Sequence, residues 1–409
     1  MKKKIGVIFG SRSCEREVAI ISAVQLMRHI DREKYDTIPV YIDDSGNWYT
    51  GSCLMDINAY KPFHSEQSGI VKVFPDLSSG SGALLTINRA SGLFAKEKIE
   101  IAARMDVCIV VMHGLNGEDG TLQGLLELAN IPYTSTSVAG SALGMDKIMM
   151  KQFFRGADLP VLPGFGITRS EFLKDRDAIA FRVEQELGYP VFVKPANLGS
   201  SIGVSRADDS DSLADSLELA FEYDRRVLIE KGLEKPIELN CSVMGYDDEV
   251  TASPIEMPIS NDTFLDFRDK YLAAGGNKGM ASLHRILPAP VDEEMKKMIQ
   301  EMSCRIFRIL DCKGVVRIDY MYDRESENTY ITEINTIPGS LAFYLWENAG
   351  IPYSALIDRM IEYAERAHDD KNRVNYAYTS DILSNAGFGT KGAKGSKGSK
   401  LPRQGKVHD

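Results

Sequence analysis

Cysteine is scarce and scattered. The chain of 409 residues holds six, at 14, 53, 108, 241, 304 and 312, and no two form a Cys-x-x-Cys pair. That spacing argues against a disulfide framework or a thiolate zinc site and points to the reduced thiols of a cytoplasmic protein. Apolar runs are short too: none approaches the ~20 residues that a membrane-spanning helix needs. Met1-Lys-Lys-Lys imitates the opening of a signal peptide. The apolar run after it, Ile5 to Phe9, is too short and leads into Arg12, Glu15, Arg16 and Glu17. A basic surplus is also missing, and the formal charge of −10 argues against a nucleic-acid surface spread over the body. No internal repeat is present. What remains is ordinary globular composition, 44% hydrophobic and 26% charged. The length suits two to four domains of roughly 100–200 residues each.

Lys2–Gly10, Thr37–Ile42 and Asp106–His113 read as apolar strands, with helical periodicity over Glu15–Ile30 and Gly120–Asn130. This alternation predicts a parallel sheet with covering helices in a first domain, residues 1–135. Residues 51–100 carry no clear pattern. A helix is expected over Ala142–Gly156 and another ahead of Gly188-Tyr-Pro. Short strands at Val191–Lys194, Val204–Ala207 and Val227–Lys231 then make a small α+β unit, 136–230. A third domain, 231–370, takes strands at Ile237–Met244, Val250–Ile255, Gly314–Tyr322 and Thr329–Asn335. Its helices are expected near Asp292–Leu310 and Tyr353–His368. From 371 to 409 the chain becomes low-complexity and basic, ending its Gly/Ser/Lys run at Lys400, and a disordered, solvated tail is expected there.

The densest chemistry lies in two neighbouring runs. Gly314 to Asp323 carries Arg317 and Asp319, and Thr332-Glu-Ile-Asn-Thr-Ile-Pro-Gly-Ser340 carries Glu333 and Asn335. Positions two apart on a strand share a face, so Glu333 and Asn335 point together, with Asp319 on the adjacent run. Three hard oxygen ligands on adjacent strands suit Mg²⁺, which pairs carboxylates with nucleotide phosphates. A buried carboxylate cluster without a cation would be costly. This points to ATP-driven chemistry.

Three further segments carry two readings each. Lys194 ends a strand and enters the turn Asn197-Leu-Gly-Ser-Ser-Ile-Gly203, where glycines let amide N–H groups approach phosphate oxygens; a surface hairpin has the same composition. Val227-Leu-Ile-Glu-Lys231 offers groups to an adenine edge and a ribose, or is an ordinary strand end. His113 opens the turn Gly-Leu-Asn-Gly-Glu-Asp-Gly120 at the end of a strand, where open α/β sheets bind ligands; a capping histidine is the alternative. No Ser-His-Asp or reactive-cysteine arrangement is assembled.

Together these motifs resemble the D-alanine–D-alanine ligases of the ATP-grasp superfamily, in the family's order from Ile5 to about Tyr363. The matching stretches are Cys-Glu-Arg-Glu-Val (14–18), His-Gly-x-x-Gly-Glu-Asp-Gly (113–120), Met-Asp-Lys (145–147), Val-Lys-Pro with Gly-Ser-Ser-x-Gly (193–203), Asp-Lys-Tyr (269–271), Arg-Ile-Asp (317–319) and Glu-Ile-Asn-Thr-x-Pro-Gly (333–339). The resemblance implies an α/β (α+β) chain, an ATP-grasp fold preceded by a parallel-sheet N-terminal domain. It implies that Lys147, Lys194 and Ser201 contact ATP phosphates. Glu230, Lys231, Leu233 and Glu238 would line the adenine and ribose pocket. Asp319, Glu333 and Asn335 would hold Mg²⁺, usually two ions, with Mn²⁺ as a substitute. Glu15 would accept the first D-alanine's ammonium, beside His113. Glu15, Ser200 and Tyr271 would close an ω-loop over the site, and Lys270 would reach the transferring phosphate. Arg317 and the Gly339 N–H would stabilise the tetrahedral oxyanion. A cytoplasmic homodimer making the peptidoglycan dipeptide is the family's usual form.

The lid tyrosine, Tyr271, goes in that family with an amine acceptor, and D-lactate-using members commonly carry phenylalanine. One departure bears on the second substrate. The family continues after its glycine with Thr-x-x-Ser-Leu, whose serine binds the acceptor carboxylate; here the run is Ser340-Leu-Ala-Phe-Tyr-Leu345, with Tyr344 in the serine's place and Ser340 able to substitute if the loop shifts. Tyr344, Leu345 and Ser340 are therefore the acceptor-side candidates, and D-serine or glycine stays open as the second substrate. A nucleotide-binding regulator that had lost catalysis would have shed metal ligands or oxyanion donors, and none is lost. A biotin-carboxylase-like enzyme would leave the Glu15 and His113 motifs unexplained.

Overall fold

The computed structural model describes residues 2–89, 97–259, 285–376, 378, 380 and 382–385. Residues 1–371 form one compact unit and 372–409 a second. Most of the expected tail, together with Lys270, Tyr271 and the loop Ala273–Gly279, lies outside the described residues.

The first sheet has seven strands: β1 (Lys3–Gly10), β2 (Tyr35–Ile42), β3 (Trp48–Thr50), β4 (Val71–Pro75), β5 (Ala83–Arg89), β6 (Glu97–Arg104) and β7 (Val107–Val111), in the order β6-β5-β4-β3-β2-β1-β7. Pairing is parallel only at β2-β1-β7. Ile5, Val7, Ile8 and Phe9 are all buried, as a central parallel strand covered on both faces requires. The unpatterned stretch 51–100 supplies most of the other half of the sheet, which is antiparallel throughout. The links β2–β3 and β4–β5 are short and carry no crossover helix, which permits only that pairing there. The helix Arg16–His29 covers β1, burying Val18, Ala19, Ile20, Ser22, Ala23, Val24, Leu26 and Met27.

The expected helix Ala142–Gly156 is two helices, Val138–Met145 and Lys147–Gly156. Asp146 breaks it. Its backbone is extended (φ −85°, ψ 100°) and its carboxylate accepts hydrogen bonds from the N–H groups of Ile148 and Met149. An aspartate that caps a new helix competes with continuation of the old one.

A second sheet follows, with β8 (Gly164–Thr168), β9 (Val191–Pro195), β10 (Ser205–Ala207) and β11 (Arg226–Lys231) in the antiparallel order β10-β9-β11-β8. Val191, Val193, Val227 and Ile229 bury one face against Ile179 and Val183 of one helix and Leu213, Leu217 and Phe221 of another. Alternation sends Phe192, Lys194, Leu228 and Glu230 to the other face.

The third sheet, β12 (Ile237–Tyr246), β13 (Glu249–Pro258), β14 (Arg285–Ile286), β15 (Gly314–Asp323) and β16 (Asn328–Asn335), runs β14-β13-β12-β15-β16, all antiparallel. Leu239, Cys241, Val243, Val316 and Ile318 pack on Ile299, Ile306 and Phe307 of the helix Glu293–Ile309. The last segments return to the first sheet: Leu341, Ala342, Phe343, Trp346, Tyr353, Leu356 and Met360 share a core with Ile5, Val24 and Val110. Among the described residues no helix is long and apolar enough to cross a membrane.

Candidate active site

The third sheet sorts its side chains by period-two alternation. Its apolar residues go to the helix side, and the other face gathers Asn240, Glu256, Arg317, Asp319, Glu333 and Asn335, since directly opposed residues share a face. Asp319 stands opposite Glu333 and Arg317 opposite Asn335. Asn335 donates from Nδ2 to Asp319 Oδ2 at 3.0 Å. Arg317 grips the same carboxylate with two hydrogen bonds, Nε to Oδ1 at 2.6 Å and Nη2 to Oδ2 at 2.7 Å. Burial opposes the charge on Arg317, yet Asp319 holds its guanidinium well above its usual pKa. Two carboxylates and a carboxamide on neighbouring strands are the oxygen donors a hard divalent ion takes, so this set fits Mg²⁺. Among the described residues no three His, Cys, Asp or Glu side chains cluster in metal-binding fashion, here or elsewhere; at this site the third donor would be the Asn335 carboxamide.

The helix Lys147–Gly156 brings two amines to this face. Lys147 Nζ donates to the carbonyl of Leu198 at 2.6 Å and lies 3.5 Å from Glu333. The glycine-serine turn and the carboxylate strands are therefore joined by one amine. Within that turn Ser200 and Ser201 both hold left-handed backbone (φ 55° and 58°), which orients successive N–H groups. One helical turn on, Lys151 bonds Glu230, whose other oxygen accepts from Lys194 at 2.7 Å. Burial alone would raise the Glu230 carboxyl, but Lys151 and then Lys194 hold it below the usual range. Both Glu230 oxygens are thus engaged by lysines and not turned to a ribose, so the ribose contact expected of its carboxylate does not appear, and the strand's backbone is what it offers a nucleotide. Lys231 is exposed beyond it, and Leu233 and Glu238 are half-buried between β11 and the start of β12. Sequence reading missed Lys151; its spacing of four from Lys147 on a helix was the available signal.

A third group comes from the first sheet's loops. Glu15 is buried and accepts a hydrogen bond from Ser200 Oγ. Its carboxylate lies so close to Gly114 and Gly199 that a Cβ on either would meet Glu15 Oε2 at 2.5 or 2.8 Å. His113 is enclosed, with Nδ1 2.8 Å from the Ile337 carbonyl and Nε2 3.1 Å from Ser22 Oγ. Burial depresses its pKa to about 4. Glu118, quoted within a motif but given no role, accepts from the N–H groups of Gly114 and Ile337, each at 2.9 Å. Burial, and next Glu15, push its carboxyl up to about 8.

The loop after Gly339 is unusual. Ser340, Leu341 and Ala342 are three consecutive non-glycine residues with left-handed backbone, at φ 50°, 55° and 50°. Ser340 is buried and donates from Oγ to Gln25 Oε1 at 2.9 Å, while its N–H reaches Ser22 Oγ at 3.0 Å. Tyr344 donates its phenol to Glu256 Oε1 at 2.9 Å, and Arg285, bonded to Glu256 Oε2 at 2.9 Å, lies 3.8 Å over the ring. Asn240 also donates to Glu256 Oε1, at 2.9 Å. Burial and then Glu256 push the Tyr344 phenol up. Leu345 is not brought to the site: it is fully buried in the first core beside Trp346, in a short helix, Phe343–Asn348, whose first four residues are all buried.

Comparison with known proteins bears on the chain as a whole. Residues 4–136 match the family model for the D-ala D-ala ligase N-terminus, and 153–362 that for the D-ala D-ala ligase C-terminus. A D-alanine–D-alanine ligase from Thermosipho melanesiensis is 38% identical, covering 91% of this chain and 96% of that relative. Among solved structures, the D-alanine–D-alanine ligase from Coxiella burnetii superposes with a TM-score of 0.76 at 25% identity, covering 91% of this chain and 96% of its own. A D-Ala:D-Ser ligase from Enterococcus faecalis gives a TM-score of 0.74 at 30% identity, covering 89% and 100%. Two family models and a relative matched along nearly its whole length leave one conclusion: the chain belongs to the D-alanine–D-alanine ligase family, with its ATP-grasp architecture.

Proposed function

We propose that the chain joins two D-alanines into D-alanyl-D-alanine at the expense of ATP, releasing ADP and phosphate, as a cytoplasmic step of peptidoglycan synthesis. The observation that carries this reading is the Lys147 amine, set between the Leu198 carbonyl of the glycine-serine turn and Glu333 of the carboxylate pair. A carboxylate is a poor acyl donor. Attack of the first D-alanine's carboxylate on the γ-phosphoryl group makes an acyl phosphate and frees ADP; the second D-alanine's amine then displaces phosphate. The protein's part is positioning and electrostatics.

Lys147, Lys194 and Ser201 would face the nucleotide phosphates, with Lys231, Leu233, Glu238 and the Glu230 backbone around adenine and ribose. Asp319, Glu333 and Asn335 would hold Mg²⁺, which offsets phosphate charge when bound. Glu15, fixed by Ser200 between two glycines, would take the first ammonium. His113, neutral at pH 7 because burial depresses it, would pack beside that substrate without adding charge. Arg317 and the Gly339 N–H would face the oxyanion, with Lys270 and Tyr271 on the lid. In this division residues 1–135 bind the first substrate, 136–230 and 231–370 clasp the nucleotide, and two copies associate as a dimer.

The test is ADP release by the full chain with D-alanine alone, products identified by mass; absence of both ADP and dipeptide overturns the reading. A second reading, D-serine as acceptor, is favoured by Tyr344, whose phenol is committed to Glu256 where a serine would serve a substrate carboxylate. Adding D-serine, glycine or D-lactate beside D-alanine, and weighing the mixed products, decides between them.

A further inference from the structure

Lys151 has no place in the reaction as so far described, yet it is among the most enclosed charges in the molecule. Its side chain is 3% exposed and its partner Glu230 1%. The carboxylate is shared, one oxygen bonding Lys151 and the other Lys194 at 2.7 Å, with Lys194 13% exposed. The two lysines come from different elements: Lys194 from β9, on the same face of the second sheet as Glu230, and Lys151 from the helix Lys147–Gly156. Lys151 also reaches the carbonyl of Ile331 on β16, at 3.4 Å. Met150 and Phe154 of that helix belong to the third sheet's core, which holds Lys151 among packed side chains, and Lys194 is the more open of the two amines.

Two cations on one buried carboxylate is an arrangement with a use. A buried charge left without a partner is costly. Were Lys194 the sole partner of Glu230, moving its amine to a phosphate would strand a carboxylate in the interior. With Lys151 in place the carboxylate stays neutralised whichever way Lys194 turns. Resting on the nucleotide reading above, we propose that Lys151 is a positioning residue: a resident counter-ion of Glu230 that releases Lys194 to the phosphates of a nucleoside di- or triphosphate. Lys151 itself does not touch the nucleotide.

The prediction is a coupling between Lys151 and Glu230 in nucleotide binding, read by calorimetric titration of Mg·ADP into the full chain. Lys151→Met leaves Lys194 tied to Glu230, and affinity for Mg·ADP falls roughly tenfold or more, as truncating one partner of a buried charge pair does. The KM for D-alanine moves less than twofold, a split that a general loss of structure does not produce. Removing the carboxylate as well, in Lys151→Met with Glu230→Gln, frees Lys194 and restores affinity to within about threefold of wild type by the same double-mutant logic. Lys151→Arg, which keeps the charge, retains binding. Wild-type affinity in Lys151→Met overturns the proposal, and so does a double variant as weak as the single one. Failure of the wild-type chain to bind Mg·ADP would instead remove the nucleotide reading itself. If Lys151→Met does not fold, Lys151→Gln, which keeps a hydrogen-bond donor but not the charge, takes its place: wild-type affinity for Mg·ADP in that variant overturns the proposal, and a fall that adding Glu230→Gln reverses supports it.

Discussion

His113 shows how far enclosure sets chemistry. The ring is buried and its pKa is depressed from 6.5 to about 4, by burial first and then by Arg317, with the Ile337 carbonyl opposing. A base whose folded pKa lies below its unfolded value stabilises the fold fully above pH 6.5. That contribution is lost as pH falls through about 4, on the order of 3 kcal/mol in all. Urea unfolding between pH 4 and 7 is expected to show this slope in the wild type and a flatter one in His113→Gln; parallel curves would speak against it. Glu333→Gln is expected to fold normally, by circular dichroism, and to release no phosphate, because one of the two carboxylates opposed across β15 and β16 is gone. Turnover near wild type would remove the metal assignment. Tyr344→Ser opens the clamp formed by Glu256 and Arg285, so the acceptor's KM moves more than that of ATP. Equal movement in both would place Tyr344 outside the acceptor pocket.

At the scale of elements, much was readable. The strands β1, β2, β7, β9, β10, β11, β12, β13, β15 and β16 announce themselves through continuous or alternating apolar runs, and the shared face of Glu333 and Asn335 follows from alternation; the register that sets Asp319 against Glu333, with its irregularity after Asp319, does not. What escaped has physical causes. The strands β4, β5 and β6 sit where one face is open to solvent: Phe74, Ile87, Ile99 and Ile101 are exposed, so apolar content there does not mark an interior. The break at Asp146 was hidden inside a continuous helical pattern because capping depends on one side chain. The Glu256–Arg285–Tyr344 cluster joins segments 29 and 59 residues apart, which only the assembled sheet reveals. Asp146→Ala is expected to cost about 1–3 kcal/mol in urea unfolding, through the lost cap and the lost ion pair with Arg226. Asp146→Asn, which keeps the cap, should recover part of that loss; a variant as unstable as alanine would show that the ion pair dominates.

Across the whole molecule, the candidate site draws on all three sheets: Glu15 and His113 from the first, Lys194 from the second, Asp319 and Glu333 from the third. A ligand held by several sheets at once stabilises the folded chain in proportion to its occupancy. Mg·ADP should therefore raise the melting temperature by several degrees, whereas Mg²⁺ alone, or ADP with a chelator, should raise it far less. Identical shifts for ADP with and without the chelator would mean that the nucleotide is held without the ion. The return of residues 341–364 to the core of the first sheet has a temporal consequence. During synthesis the strands β1 and β2 leave the ribosome about 300 residues before the aromatic side chains that seal them, Phe343, Trp346 and Tyr353. The first sheet must wait, half clad, for residues 341–364, and a nascent chain stalled near residue 330 should still be open to protease around β1 and β2.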